Sequence, residues 1–333
     1  MIKLGIIHGG ISTEHEVSEM SAKSIFENLN KEKYDIHDIY ISEYGKWYDC
    51  KGNQKEEIYN LIWYLKELDV VFPVLHGIGG EDGTIQGLLE MLQIPYVGCG
   101  VLASSIGMDK VYTKIIFEKA KIAQTSYMYI YKKNEDYIII NDDFDEEEFS
   151  LDKITSKLKF PMFVKPSNSG SSVGVTKVTN IEELKGAIEN AGKYDCKILV
   201  EEGIIGKEIE CAILGGEEVI ASTVGQVASA EEFYTFDAKY NIPESKTIIP
   251  AELDEDIINE IRKTAIKAFK AIDGKGLARA DFFVENETNK IYINEINTMP
   301  GFTKISMYPK LFEAVGISYS ELLDRLIEIP LKK

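Results

Sequence analysis

Four polar side chains near the C-terminal end, Arg279, Asp281, Glu295 and Asn297, carry the sharpest chemical signal in the sequence. They lie on two runs, Leu277 to Val284 and Lys290 to Asn297, that read as a β-hairpin. With its turn centred on Thr288, Asp281 faces Glu295 and Arg279 faces Asn297. The two-residue period puts all four on one face of the sheet, with opposed Cβ atoms about 4.5–5.5 Å apart. Two carboxylates that close repel each other unless something cationic lies between them. Asp, Glu and Asn oxygens beside an Arg suit a Mg²⁺–polyphosphate complex, because Mg²⁺ takes a few carboxylates plus phosphate oxygens. A solvated polar sheet face with a cross-strand salt bridge is the alternative that these residues leave open.

A second signal is the loop SNSGSSVG at 167–174, between the strand Phe160 to Pro166 and the strand Val175 to Val178. It precedes a strand rather than a helix, and no GxxxxGK[ST] occurs, so it is not a P-loop. Its amides can still wrap phosphate oxygens as a flap, with Lys165 two residues upstream, although alone such a loop is more often only a turn. Gly98-Cys99-Gly100 with Ala103 matches a dinucleotide fingerprint, but it follows a late strand and is discounted. GGISTEHEVS at 9–18 and HGIGGEDG at 76–83 carry more His and acid than a turn needs, which points to ligand contact.

All four histidines, His8, His15, His37 and His76, fall in the first quarter of the chain. Chemistry beyond residue 76 must therefore use carboxylate, lysine, arginine, tyrosine, backbone amides or an oxygen-bound metal. Cys50, Cys99, Cys196 and Cys211 form no CxxC and read as reduced thiols. The 333 residues include 37 basic and 55 acidic side chains, a net charge of −18 that argues against nucleic acid and membrane surfaces as partners. Only three of the basic residues are arginines, Arg262, Arg279 and Arg325. No signal peptide and no apolar run of about 20 residues is present, so a cytoplasmic protein is expected.

These residues need a scaffold to bring them together. Ile2 to Ile7 reads as a strand ending in a Gly-rich turn, followed by a helix from Ser18 to Leu29. Further strands at Asp38 to Ser42, Val70 to Leu75 and Ile94 to Val97 complete a small parallel α/β domain, whose ligand loops follow the strand C-termini. Asp109 to Ala123 and Ile181 to Ala191 read as helices, Lys197 to Glu201 and Glu208 to Leu214 as strands, and the acidic run at 142–148 as solvated surface. Residues 226–250 show no period and read as a lid. Asp254 then starts a helix with Ile257, Ile258, Ile261, Ala265 and Phe269 on one stripe.

Six segments in order, GGISTEHEVS, LHGIGGEDGTIQG, VKPSNSGSSVG, FYTFDAKY, GLARADFF and INEINTMPGFT, together resemble the D-alanine–D-alanine ligase family of the ATP-grasp superfamily. The resemblance implies an α/β (α+β) ATP-grasp fold in three domains: 1–103 for substrate, 104–192 with the Gly/Ser flap, and 193–333 with the catalytic hairpin and the lid. ATP would lie between the last two. It implies ATP and two Mg²⁺ (or Mn²⁺) ions, D-alanine as substrate, peptidoglycan precursor synthesis, and a homodimer.

By the same resemblance, Asp281, Glu295 and Asn297 are metal ligands, and Arg279 with the amide of Gly301 steadies the transferring phosphate and the tetrahedral intermediate. Lys110, Lys165 and Lys239 neutralise ATP phosphates, with Ser171 and Ser172 around them. Glu201, Ile204 and Asn294 belong to the nucleotide site, and Glu208 holds the ribose. Glu14 binds the first D-alanine ammonium and forms a triad with Ser171 and Tyr240. His76 lies at the same pocket, and Ser306 holds the carboxylate of the second amino acid. A Tyr at 240 fits an amine nucleophile, where D-lactate relatives carry His. Met307 stands where D-serine relatives carry Arg, which leaves D-alanine–D-serine ligation as the nearest alternative. A non-catalytic ATP-binding module is more remote.

Overall fold

The computed structural model describes residues 1–228 and 246–332. Three β-sheets follow one another along the chain, each packed with its own helices. The first contains β1 (Ile2–Gly9), β2 (Tyr34–Ile41), β3 (Trp47–Lys51), β4 (Gln54–Glu57) and β5 (Val70–Pro73), in the order β4-β3-β2-β1-β5. β1 is buried through its apolar run, as expected of a strand flanked on both sides by parallel neighbours. This domain is not wholly parallel: β3 and β4 extend it as an antiparallel hairpin. The expected strand at Ile94 to Val97 reduces to a bridge between Tyr96 and Val71. The first helix spans His15–Asn28, beginning before the expected Ser18.

The second sheet is antiparallel throughout and contains β6 (Tyr127–Lys133), β7 (Asp136–Ile140), β8 (Glu146–Glu148), β9 (Met162–Pro166), β10 (Thr176–Val178) and β11 (Lys197–Glu202). Its order is β10-β9-β11-β6-β7-β8. The helix Ile181–Ala191 starts where the Asn180 side chain accepts from the Glu183 amide at 3.1 Å, and buries Leu184, Ala187 and Ile188. The acidic run at 142–148 is at the surface, but its last three residues pair with β7 as an edge strand.

The third sheet, also antiparallel, contains β12 (Gly206–Gly215), β13 (Val219–Ala228), β14 (Lys246–Ile248), β15 (Gly276–Glu285) and β16 (Ile291–Asn297). Its order is β14-β13-β12-β15-β16. The helix Glu255–Ala271 buries Ile261, Ala265, Ala268 and Phe269 against it. The helices Met307–Glu313 and Tyr319–Glu328 share one core with the first sheet, so Phe302, Leu311 and Leu323 belong to the same cluster as Leu4, Ile6 and Phe72.

β11 pairs with β6 and β9, so the chain leaves the second sheet after Glu202 and not at 192/193. The 103/104 division falls inside the helix Val101–Met108. The ends of the expected 226–250 lid are strands, with Gln226 opposite Ile248 and Val227 opposite Thr247. Lys239 and Tyr240 lie outside the described residues.

Candidate active site

The hairpin has the expected register where the polar residues sit: Arg279 opposes Asn297 and Asp281 opposes Glu295. Beyond them Phe282 opposes Ile293, which leaves Asn294 as the extra residue of a β-bulge. The turn is therefore displaced from Thr288, and the bulge restores the pairing. On the other side of β15, Glu210 of β12 opposes Asp281. Three carboxylates, Glu210, Asp281 and Glu295, thus stand abreast on three neighbouring strands.

Arg279 answers two of the three. Arg279 donates to both oxygens of Asp281, from Nε and a terminal nitrogen, each at 2.7 Å, and its Nε lies 3.1 Å from Glu210 Oε2. The two carboxylates hold the guanidinium charged against the cost of its burial. Asn297 Nδ2 donates to Asp281 Oδ2 at 3.0 Å. Among the described residues no three His, Cys, Asp or Glu side chains are arranged to hold a metal by themselves. The donor set fits Mg²⁺ on its chemistry: two carboxylates, from Asp281 and Glu295, and the Asn297 amide, with phosphate oxygens to complete the shell.

This row floors a cleft of about 980 Å³. Lining it are Glu14, His76, Lys110, Lys165, Ser171, Ser172, Glu201, Ile204 and Glu208, together with Arg279, Asn294, Glu295, Asn297, Gly301, Ser306 and Met307. Asp281 lies just beneath the lining, 3% exposed. The cleft therefore gathers the expected site residues that are described.

The flap closes one side. Ser171 and Ser172 take left-handed backbone conformations, φ 50° and 60°, strain that persists only where surrounding contacts fix it. Here Ser171 Oγ donates to Glu14 Oε1, tying the flap to the N-terminal domain. Gly77 and Gly170 clear the space around that carboxylate, since a Cβ on either would come within 2.6 Å of Glu14 Oε2. Lys110 Nζ donates to the Ser169 carbonyl at 2.7 Å and lies 3.9 Å from Glu295. Ser306 Oγ accepts from the Thr303 amide at 3.0 Å, and a Cβ on Gly301 would come within 2.7 Å of it.

His76 is enclosed at the back of the cleft. Its Nδ1 donates to the Met299 carbonyl at 3.0 Å, so Nε2 accepts from Ser21 Oγ, and burial keeps the ring neutral. It braces the turn before Gly301. Met307 is 6% exposed and packed with Leu311, so it gives its part of the cleft wall an apolar surface.

Three charged residues at or behind the cleft were not named individually from the sequence. Glu81 accepts from the amides of Gly77 and Met299, at 2.9 and 3.3 Å; enclosure and the neighbouring Glu14 push its carboxyl up to about 8. Glu210 lies two residues from Glu208 on β12, so strand periodicity could have placed it beside the ribose candidate. Lys114, one helical turn after Lys110, lies 2.9 Å from Glu201 Oε2, while Lys165 pairs with the other oxygen. Burial opposes the charge on Glu201, but the two lysines bring its carboxyl down to about 2.

Family models described as the N-terminus and C-terminus of D-ala D-ala ligase match residues 3–64 and 60–99, and residues 116–328, respectively. The chain belongs to the D-alanine–D-alanine ligase family. A D-alanine–D-alanine ligase of Acetivibrio thermocellus is 49% identical, covering 98% of this chain and 95% of its own. One from Clostridium novyi is 44% identical, covering 99% and 98%. Among solved structures, the VanG D-Ala:D-Ser ligase of Enterococcus faecalis superposes with a TM-score of 0.85 at 36% identity, over 99% of both chains. The D-alanine–D-alanine ligase of Coxiella burnetii does so with 0.83 at 33%, over 99% and 95%. Among the described residues no helix is long and apolar enough to cross a membrane.

Proposed function

We propose that this protein ligates two D-alanine molecules at the expense of ATP, through a D-alanyl phosphate, to supply D-alanyl-D-alanine for peptidoglycan precursors. The observation that carries the reading is the row Glu210, Asp281, Glu295 with Arg279 set into it, at the floor of a cleft closed on one side by the Ser171–Glu14 contact. In the first step a carboxylate oxygen of D-alanine attacks the γ-phosphorus and ADP leaves. In the second the amine of another D-alanine attacks the acyl carbon, loses a proton, and phosphate leaves. Both steps gather charge on oxygens, so the work is positioning and electrostatic stabilisation.

Glu14, already aimed by Ser171, takes the ammonium of the first D-alanine. Arg279 and the Gly301 amide face the charge that develops at phosphorus and then at the acyl oxygen. Lys110 and Lys165 neutralise phosphates, and Lys239 belongs with them. Asp281, Glu295 and Asn297 would hold Mg²⁺ or Mn²⁺, which supplies charge neutralisation for the polyphosphate. The Glu201 carboxylate is occupied by lysines, so its contribution to adenine recognition is assigned to main-chain groups around 201–204. Tyr240 is assigned to the Glu14–Ser171 pair and Ser306 to the second carboxylate.

Met307 offers a D-serine hydroxyl no partner, which favours D-alanine as nucleophile over the D-serine of the Enterococcus structure. Apolar surfaces reject an added hydroxyl only weakly, so some mixed product is expected. The test is ADP formation with D-alanine alone and with D-alanine plus D-serine near neutral pH. D-alanine should suffice; a strong preference for D-serine at the second site would overturn the assignment.

A further inference from the structure

The buried lysine that none of these steps uses is Lys114. Its side chain is 3% exposed, and it does not reach the cleft. Its Nζ lies 2.9 Å from Glu201 Oε2 and donates to Thr125 Oγ1 at 3.1 Å, and Thr125 in turn donates to the same Glu201 oxygen at 3.1 Å. The other oxygen, Oε1, pairs with Lys165 Nζ, which also lies 3.4 Å from Asn294 Oδ1. Two cations therefore share one carboxylate, and the two ends of the cluster differ: Lys114 is sealed in, whereas Lys165 opens on the cleft.

Charge counting gives the arrangement a purpose. A Lys165–Glu201 pair alone would be neutral, and in a buried setting the carboxylate would hold the ammonium strongly. With Lys114 and Thr125 engaging Oε2, the two lysines and one carboxylate sum to one surplus positive charge, and of the two lysines Lys165 is the one that lines the cleft. The helix Lys110–Lys119 sets this up by spacing, because residues four apart share a face: Lys110 meets the cleft and Lys114 meets the carboxylate beneath it.

We infer that Lys114 is a positioning residue for nucleotide binding, which shares the Glu201 carboxylate from behind and so weakens its hold on Lys165, leaving the Lys165 ammonium able to exchange that contact for the phosphates of ATP. The inference rests on the proposed ATP-dependent ligation and assigns a part to a side chain that never touches substrate. Lys114→Met should leave Glu201 to hold Lys165 alone, and more tightly. Its affinity for a magnesium complex of a non-hydrolysable ATP analogue should fall about tenfold or more, the scale of a charge-assisted hydrogen bond. The KM for ATP should rise in step, with the KM for D-alanine unchanged.

The discriminating variant is the double substitution Lys114→Met with Glu201→Gln. Removing the carboxylate should return analogue binding to within a few-fold of wild type. A merely structural Lys114 predicts no such rescue. Analogue binding by Lys114→Met equal to wild type, or a double variant as weak as the single one, would overturn the inference. If Lys114→Met does not fold, as judged by circular dichroism, Thr125→Val decides with the same measurements: weaker analogue binding is expected, and unchanged binding contradicts it. Failure of the functional reading would look different, as wild-type protein that binds the analogue but forms no ADP when D-alanine is added.

Discussion

Arg279 is held between Glu210 and Asp281 before any substrate enters, so it needs no reorganisation when charge develops beside it. Its removal should therefore cost turnover more than nucleotide binding: Arg279→Ala is expected to lower kcat about a hundredfold or more, with analogue affinity changed only a few-fold. Initial rates of phosphate release and equilibrium binding check this, and equal losses in both would place Arg279 in ground-state binding. Glu81 gives a second prediction. Its carboxyl is raised to about 8 from an ordinary 4.5, so the folded protein binds more protons there than the unfolded chain across that window. Its contribution to stability is thus lost as pH rises from about 4.5 to 8. Glu81→Gln should remove that fall, so its stability relative to wild type should increase toward pH 8 in urea titrations. Glu81 stood out only within the acid-rich run at 76–83 and Glu210 not at all, because carboxylates abound in the sequence, 55 in all, and only packing selects these two.

At the scale of elements, the hairpin was legible because its apolar and polar residues alternate on both strands, and that alternation fixes register. The Asn294 bulge was not, because an extra residue breaks the period that reveals it. β8 was missed for another reason: its three acidic residues have a low strand preference, which cross-strand pairing with β7 overrides. The flap was recognisable as a Gly/Ser loop, yet its tie to Glu14 spans 157 positions, a contact that no local pattern contains. That tie gives an element-scale prediction. Ser171→Ala should lower kcat/KM for D-alanine about tenfold, the scale of one hydrogen bond to a charged group, and expose the 167–175 loop to protease. Resistance equal to wild type would mean that other contacts hold the flap.

Across the whole molecule, the first and third sheets are bound by one core. Phe302 is fully buried, with ring centroids 5.5 Å from Phe72 and 5.3 Å from Tyr308. Phe302→Ala should cost about 3–5 kcal/mol and destabilise both regions in a single urea transition, whereas two separated transitions would show that they unfold independently. The same core sets Glu14 and His76 against Arg279 and Gly301 across one cleft. The net charge of −18 argues against polyanionic partners, while inside the cleft Lys110, Lys165 and Arg279 set cations among its carboxylates. The central claim is tested most directly by incubating the protein with ATP, Mg²⁺ and D-alanine and identifying the products by mass spectrometry. The account predicts one D-alanyl-D-alanine formed for each ADP, and ADP released without the dipeptide, or no reaction that depends on D-alanine, would contradict it.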